Sequence, residues 1–234
     1  MATLIIALDR PNASQALDLV DRLGEAADFY KVGAELFTAA GPAVVHELRE
    51  RGKRVFLDLK YHDIPHTVSA AVRSAAALDV ALLTVHAAGG SAMLRAAADA
   101  AAPDGPLVVA VSLLTSLSTS DVEEVWGRSI PALRGEVDRL AALAHDCGLH
   151  GVVASPLEVE SLKRRHGPGF VVVTPGVRHE GAATDDQSRT ASAAAAARAG
   201  ADYLVVGRPV HASTDPVAAL KALREEIGLA DRVA

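Results

Sequence analysis

Short runs of bulky apolar residues recur along the chain, and each is followed by a stretch of helical character. The runs cover residues 4–8, 28–32, 55–59, 80–86, 107–113, 151–153, 170–173 and 202–206. Most are unbroken Val, Ile, Leu and Ala, the pattern of strands covered on both faces. Between them the sequence predicts helices over 14–23, 36–51, 65–78, an Ala-rich stretch running to 102, then 157–165, 189–199 and 215–227. Ser14 is the expected N-cap of the first helix and Gly24 its close. Gly41-Pro42 interrupts the second, and Gly52 ends it. The rhythm breaks after the fifth strand. There Leu114-Thr115-Ser116, a helical piece over 121–126 and a helix over 131–147 precede the sixth strand. A long connection with structure of its own is often functional. Residues 179–188 read as a mobile polar loop.

Eight strands alternating with helices predict a parallel sheet covered by helices. The count of eight points to a closed (β/α)8 TIM barrel, an α/β fold, formed as a single domain by residues 1–234. A doubly wound open sheet is the alternative, but Asp9-Arg10-Pro11-Asn12 follows the first strand where that fold carries a glycine fingerprint.

Composition narrows the function classes. Of 234 residues half are hydrophobic, enough for one large core. Net charge is −6 with acids and bases interspersed, so no nucleic acid polymer is expected as a partner, while a small anion stays open. Cys147 is the only cysteine, which excludes an internal disulfide and fits a reducing, cytoplasmic setting. The apolar run 4–8 is short and meets Asp9-Arg10-Pro11, so no signal peptide is expected. No window approaches the roughly 18 apolar residues of a membrane span, so no membrane association is expected.

Candidate chemistry gathers at the strand ends, where barrels place their active sites. In Val55-Phe56-Leu57-Asp58-Leu59-Lys60-Tyr61-His62-Asp63-Ile64-Pro65, alternation puts Asp58 and Lys60 on one face with Phe56. Asp9 ends the first strand, Lys31 lies on the second, and Asp63 follows the third. Acids and ammoniums from three consecutive strands can alternate around a barrel mouth, each favouring the charged form of the next. Arg178 follows the seventh strand. Gly207-Arg208-Pro209 follows the eighth, where glycine permits close backbone approach and a helical turn offers N–H groups to an anion. A guanidinium at Arg208 suits phosphate. A plain loop with a solvated arginine is the alternative there.

These blocks resemble one family, the orotidine 5′-monophosphate decarboxylases in their bacterial and archaeal single-domain form. Asp58-Leu59-Lys60-Tyr61-His62-Asp63-Ile64-Pro65-His66-Thr67 matches the family's D-x-K-x-x-D-I-P-x-T signature. Ile6-Ala7-Leu8-Asp9, Tyr30-Lys31-Val32-Gly33, Thr84-Val85-His86-Ala87, Leu113-Leu114-Thr115-Ser116, Thr174-Pro175-Gly176-Val177-Arg178, Asp185-Asp186-Gln187-Ser188-Arg189 and Val206-Gly207-Arg208-Pro209 fit in register. The resemblance implies decarboxylation of orotidine 5′-monophosphate to uridine 5′-monophosphate, the last step of de novo UMP synthesis, without metal or other cofactor. It implies Lys60 as proton donor to C6, Asp58 beside the departing carboxylate, and Lys31 and Asp9 at the ribose. It places Thr115 at the base, and Arg178, Gln187, Gly207 and Arg208 at the phosphate. It also implies a homodimer in which Asp63 and Thr67, flanking Ile64, reach the neighbouring subunit's site.

Other features keep plain readings. His62 and His66 are four apart, but Pro65 sets His62 before the helix, so loop packing is favoured over a metal pair. His86 lines the site or serves as a hydrogen-bonded structural histidine. Trp126 is expected to pack the excursion after the fifth strand, and the alanine runs to form close-packed helices. Two other functions stay open: a magnesium-dependent sugar-phosphate decarboxylase or aldolase of the same superfamily, and a non-catalytic nucleotide-binding barrel.

Overall fold

The structure, a computed structural model, describes residues 2–101, 103–178 and 191–231, with backbone alone at 177, 178, 191 and 229–231. Gln187 and the loop expected over 179–188 lie outside the described residues. The strands are β1 (Thr3–Ala7), β2 (Phe29–Gly33), β3 (Arg54–Tyr61), β4 (Leu82–His86), β5 (Leu107–Val111), β6 (Gly151–Val153), β7 (Val171–Thr174), β8 (Val177–Arg178), β9 (Ala191–Ser192) and β10 (Tyr203–Val206). Eight of them close a parallel barrel in the order β1-β10-β7-β6-β5-β4-β3-β2, as the alternation of strands and helices predicts.

The helices that cover it are α1 (Ala13–Leu23), α2 (Ala34–Ala40), α3 (Ala43–Glu50), α4 (Pro65–Ala76), α5 (Gly90–Ala101), α6 (Thr119–Trp126), α7 (Leu133–Asp146), α8 (Val159–His166), α9 (Ala193–Arg198), α10 (Arg208–His211) and α11 (Pro216–Asp231). Two local expectations shift and one holds. Asn12, not Ser14, caps α1: its side chain accepts the N–H of Gln15 at 2.9 Å. The interruption expected at Gly41-Pro42 is present: Gly41 turns the chain with φ 62° and divides that stretch into α2 and α3. The helix expected from 189 begins at Ala193, because Ala191 and Ser192 form a strand against β8 and the Ser192 side chain then caps α9.

Alternation along the strands divides the apolar side chains into two cores. Ile5, Ala7, Phe29, Phe56, Leu82, Val109, Val173 and Val205 fill the barrel. Leu4, Ile6, Tyr30, Val32, Val55, Leu57, Leu83, Val85 and their neighbours face the helices. Fully burying a side chain such as Phe56 or Leu57 stabilises the fold by about 1.5–3 kcal/mol. Along β2 the inward positions run Phe29, Lys31, Gly33. Along β3 they run Phe56, Asp58, Lys60. The apolar floor thus gives way to charge at the C-terminal end of the barrel. Trp126 packs on the outer core beneath the guanidiniums of Arg128 and Arg139, 5.2 and 5.6 Å from its ring centre, as expected of the excursion. Among the described residues no helix is long and apolar enough to cross a membrane.

Candidate active site

Four charges from three consecutive strands stand in one row at the barrel mouth. Lys60 Nζ lies 2.9 Å from Asp58 Oδ1, Lys31 Nζ lies 3.7 Å from Asp58 Oδ2, and Lys31 Nζ lies 2.9 Å from Asp9 Oδ1. Signs alternate, so each ammonium has a carboxylate beside it. Asp58 and Lys31 are largely buried, at 13% and 12% side-chain exposure, while Lys60 at 36% and Asp9 at 53% open towards the cavity. The buried middle holds the row and the open ends meet a ligand. Gly33 gives Lys31 its room, because a Cβ there would fall 2.9 Å from Nζ.

The backbone that carries Lys60 is irregular. Leu57 pairs with Leu83 and Tyr61 with Val85, so Asp58, Leu59 and Lys60 together oppose the single residue Thr84. Lys60 takes φ 52°, a left-handed conformation that costs a residue with a Cβ on the order of 1–3 kcal/mol. Bulges of this kind re-aim side chains next to active sites. The Lys60 N–H donates to Thr84 Oγ1 at 2.9 Å, and Thr84 Oγ1 lies 3.0 Å from Asp58 Oδ1.

A cavity of about 520 Å³ opens over this row, a size suited to a small-molecule ligand. Asp9, Lys31, Asp58, Lys60, Thr115, Gly207 and Arg208, all singled out in the sequence, line it. The turn after β10 forms as α10 with Pro209 in its first turn. Its backbone supplies less than expected: the N–H groups of Val210 and His211 return to the Gly207 carbonyl at 3.0 and 3.1 Å. Gly207, Arg208 and Pro209 all line the cavity at this turn. A Cβ at Gly207 would meet nothing closer than 3.7 Å, so glycine is not forced by its neighbours; it leaves open the space between Asp9 and His211.

Asp63, Ile64 and Thr67 lie away from the cavity and are exposed, Ile64 at 66%. Asp63 Oδ1 accepts the N–H of Ile64 at 2.6 Å at the entrance to α4. His62 faces His86, ring centres 5.5 Å apart, in keeping with loop packing. Burial, then His62 and Lys60, lower the pKa of His86 against the opposing pull of Asp58. Two residues escaped the sequence reading. Thr84 opens the block Thr84-Val85-His86-Ala87 and is the polar residue between Leu83 and Val85, but neither feature gives it a role. His211 lines the cavity one turn beyond Arg208, and burial, then Arg10, lowers its pKa, with Asp9 opposing.

The fold and the site define a class: a (β/α)8 barrel enzyme with an alternating acid–base row at the mouth of its barrel. Within that class the chain belongs to the Orotidine 5'-phosphate decarboxylase / HUMPS family, whose model matches residues 2–223. It is 48% identical over 224 residues to an orotidine 5'-phosphate decarboxylase of Nitrosospira multiformis, covering 96% of this chain and 93% of that protein. It is 51% identical over 229 residues to one of Halorhodospira halophila, covering 97% and 96%. The crystal structure of orotidine 5'-phosphate decarboxylase from Lactobacillus acidophilus superposes with TM-score 0.86 at 37% identity, covering 97% of this chain and 99% of that one.

Proposed function

We propose that the chain decarboxylates orotidine 5′-monophosphate to uridine 5′-monophosphate and carbon dioxide, the last step of de novo UMP synthesis. The observation that carries this reading is the row Lys60–Asp58–Lys31–Asp9 beneath a nucleotide-sized cavity. The bond from C6 to the carboxylate breaks, carbon dioxide leaves, and the electron pair stays on C6. The pyrimidine ring delocalises that charge poorly. A fixed ammonium at Lys60 stabilises it and then donates a proton to C6, returning to the charged form from solvent. The reaction balances with no electron acceptor and no cofactor. Asp58 holds Lys60 in place and lies beside the departing carboxylate.

The rest of the nucleotide is gripped away from the chemistry. Asp9 and Lys31 take the ribose hydroxyls, Thr115 the base, and Arg208 with Gly207, Arg178 and Gln187 the phosphate. Remote binding energy of this kind raises transition-state affinity. Asp63, Ile64 and Thr67 complete the site of a second subunit in a homodimer. Their exposed positions, Asp63 and Ile64 on the β3–α4 turn and Thr67 in the first turn of α4, support that reading. A cytoplasmic location fits the free, buried thiol of Cys147.

The test is turnover of orotidine 5′-monophosphate after exhaustive chelation, followed by loss of the orotate chromophore. Full activity in EDTA is expected. Activity lost in EDTA and restored by magnesium favours a sugar-phosphate enzyme of the same family. Tight nucleotide binding without turnover favours a non-catalytic barrel.

A further inference from the structure

Thr84 is fully buried and takes no part in lining the cavity, yet its hydroxyl touches both Lys60 and Asp58. It accepts the backbone N–H of Lys60 at 2.9 Å. A hydroxyl has one proton to give, and among the described residues the ionised acceptor it meets is Asp58 Oδ1, at 3.0 Å. The direction of both bonds is therefore fixed: Lys60 N–H to Thr84, Thr84 O–H to Asp58. The same Oδ1 also receives the Lys60 ammonium at 2.9 Å. A closed ring results, running from the Lys60 backbone through Thr84 and Asp58 back to the Lys60 side chain.

The register explains why one residue can do this. Three residues of β3 stand opposite Thr84 alone, so the ladder cannot satisfy Lys60 N–H, and the left-handed turn at Lys60 points that group at β4. Valine or leucine would suit an inward position of β4 equally well for packing, but neither accepts the bond.

We propose that Thr84 is a positioning residue for the decarboxylation, locking the strained bulge at Lys60 and holding Asp58 in the orientation that directs the ammonium into the cavity. This rests on the function proposed above. It acts through Asp58 and Lys60 and never meets the substrate, so it should set kcat and leave nucleotide affinity alone.

The test compares wild type, Thr84→Val, Thr84→Ala and Thr84→Ser, reading kcat and KM separately together with amide hydrogen exchange at Lys60. Thr84→Val should lower kcat by about 10–10²-fold, the scale of a small misplacement of a catalytic group, with KM within about threefold. Lys60 amide exchange should speed up by about tenfold or more once its acceptor is gone. Thr84→Ser should restore most of kcat and the slow exchange. Thr84→Ala removes the same hydroxyl and stands in should the valine variant fail to fold. Loss of the fold in both would make Thr84 a structural residue only and overturn the proposal. So would a kcat unchanged in Thr84→Val, an effect confined to KM, or serine failing to rescue. If wild type itself does not turn the nucleotide over, the function fails separately. The exchange rate at Lys60 then decides the positioning claim alone, and unaltered exchange in Thr84→Val overturns it.

Discussion

Lys60 Nζ sits 2.9 Å from Asp58 Oδ1 although the two residues are carried on a strand that bulges between them and the next regular pair. The pair is tied from behind by Thr84 and from the side by Lys31, whose ammonium also reaches Asp9. Removing Asp58 takes from Lys60 its partner in the row, and removing Lys31 takes from Asp9 its own, whereas Asp58 and Lys31 each keep one partner when an end charge is lost.

The phosphate grip should separate from the chemistry. Arg208→Ala is expected to weaken recognition of the nucleotide by about 1.5–3 kcal/mol, the scale of a lost charge-assisted hydrogen bond. The measurement is kcat/KM for orotidine 5′-monophosphate and for the phosphate-free nucleoside. The nucleotide should suffer alone; an equal fall for the nucleoside means that Arg208 does not hold the phosphate.

Shared sites predict complementation. Lys60→Ala and Asp63→Ala homodimers should each be nearly inactive. After subunit exchange, half the dimers are mixed and each has one intact site, so about a quarter of wild-type activity should return. Proven exchange with no recovery would place Asp63 at work within its own chain.

Stability should fall on the acid side of neutrality. His86 is held below the usual histidine pKa by burial, His62 and Lys60, and His211 by burial, Arg10 and Arg208. Unfolded histidine binds a proton near pH 6.5, so below that pH the unfolded chain takes up more protons than the folded one. Stability therefore drops as pH falls through about 6.5 and levels off only below the depressed folded values. Melting temperatures between pH 5 and 8 should show this slope, and His86→Gln should flatten part of it. An unchanged slope in that variant assigns the acid sensitivity elsewhere.

Much of this is legible in the sequence alone. The unbroken runs such as Leu4-Ile5-Ile6-Ala7-Leu8 have the length and make-up of strands covered on both faces, and eight strands close the barrel. Simple alternation put Asp58 and Lys60 on the inward side with Phe56, and the pairing holds despite the bulge. The bulge itself left no trace, because the residue in the left-handed conformation is a lysine and no glycine marks it. Thr84 was equally silent: threonine is an ordinary strand former, and only its partner across the ladder reveals its use. The two-residue strands β8 and β9 are too short to show a period, so the pattern predicts too early a start for the helix that follows them. Asn12 and Ser14 are both good caps, and local sequence could not choose between them. Asp63, Ile64 and Thr67 lie outside the cavity of their own chain; the position of Asp63 just past the third strand marks it, and the family resemblance supplies the role across a subunit boundary.

The most direct test is the rate of loss of the orotate chromophore with wild type and with Lys60→Ala under identical conditions. Lys60 is half open at a strand end, so its removal makes no core cavity, and the variant should fold with an unchanged circular dichroism spectrum. With the proton donor and the facing cation both gone, kcat should fall by at least about 10³-fold. A folded Lys60→Ala protein within tenfold of wild type would contradict the assignment of Lys60 and with it the charge row as the engine of the reaction.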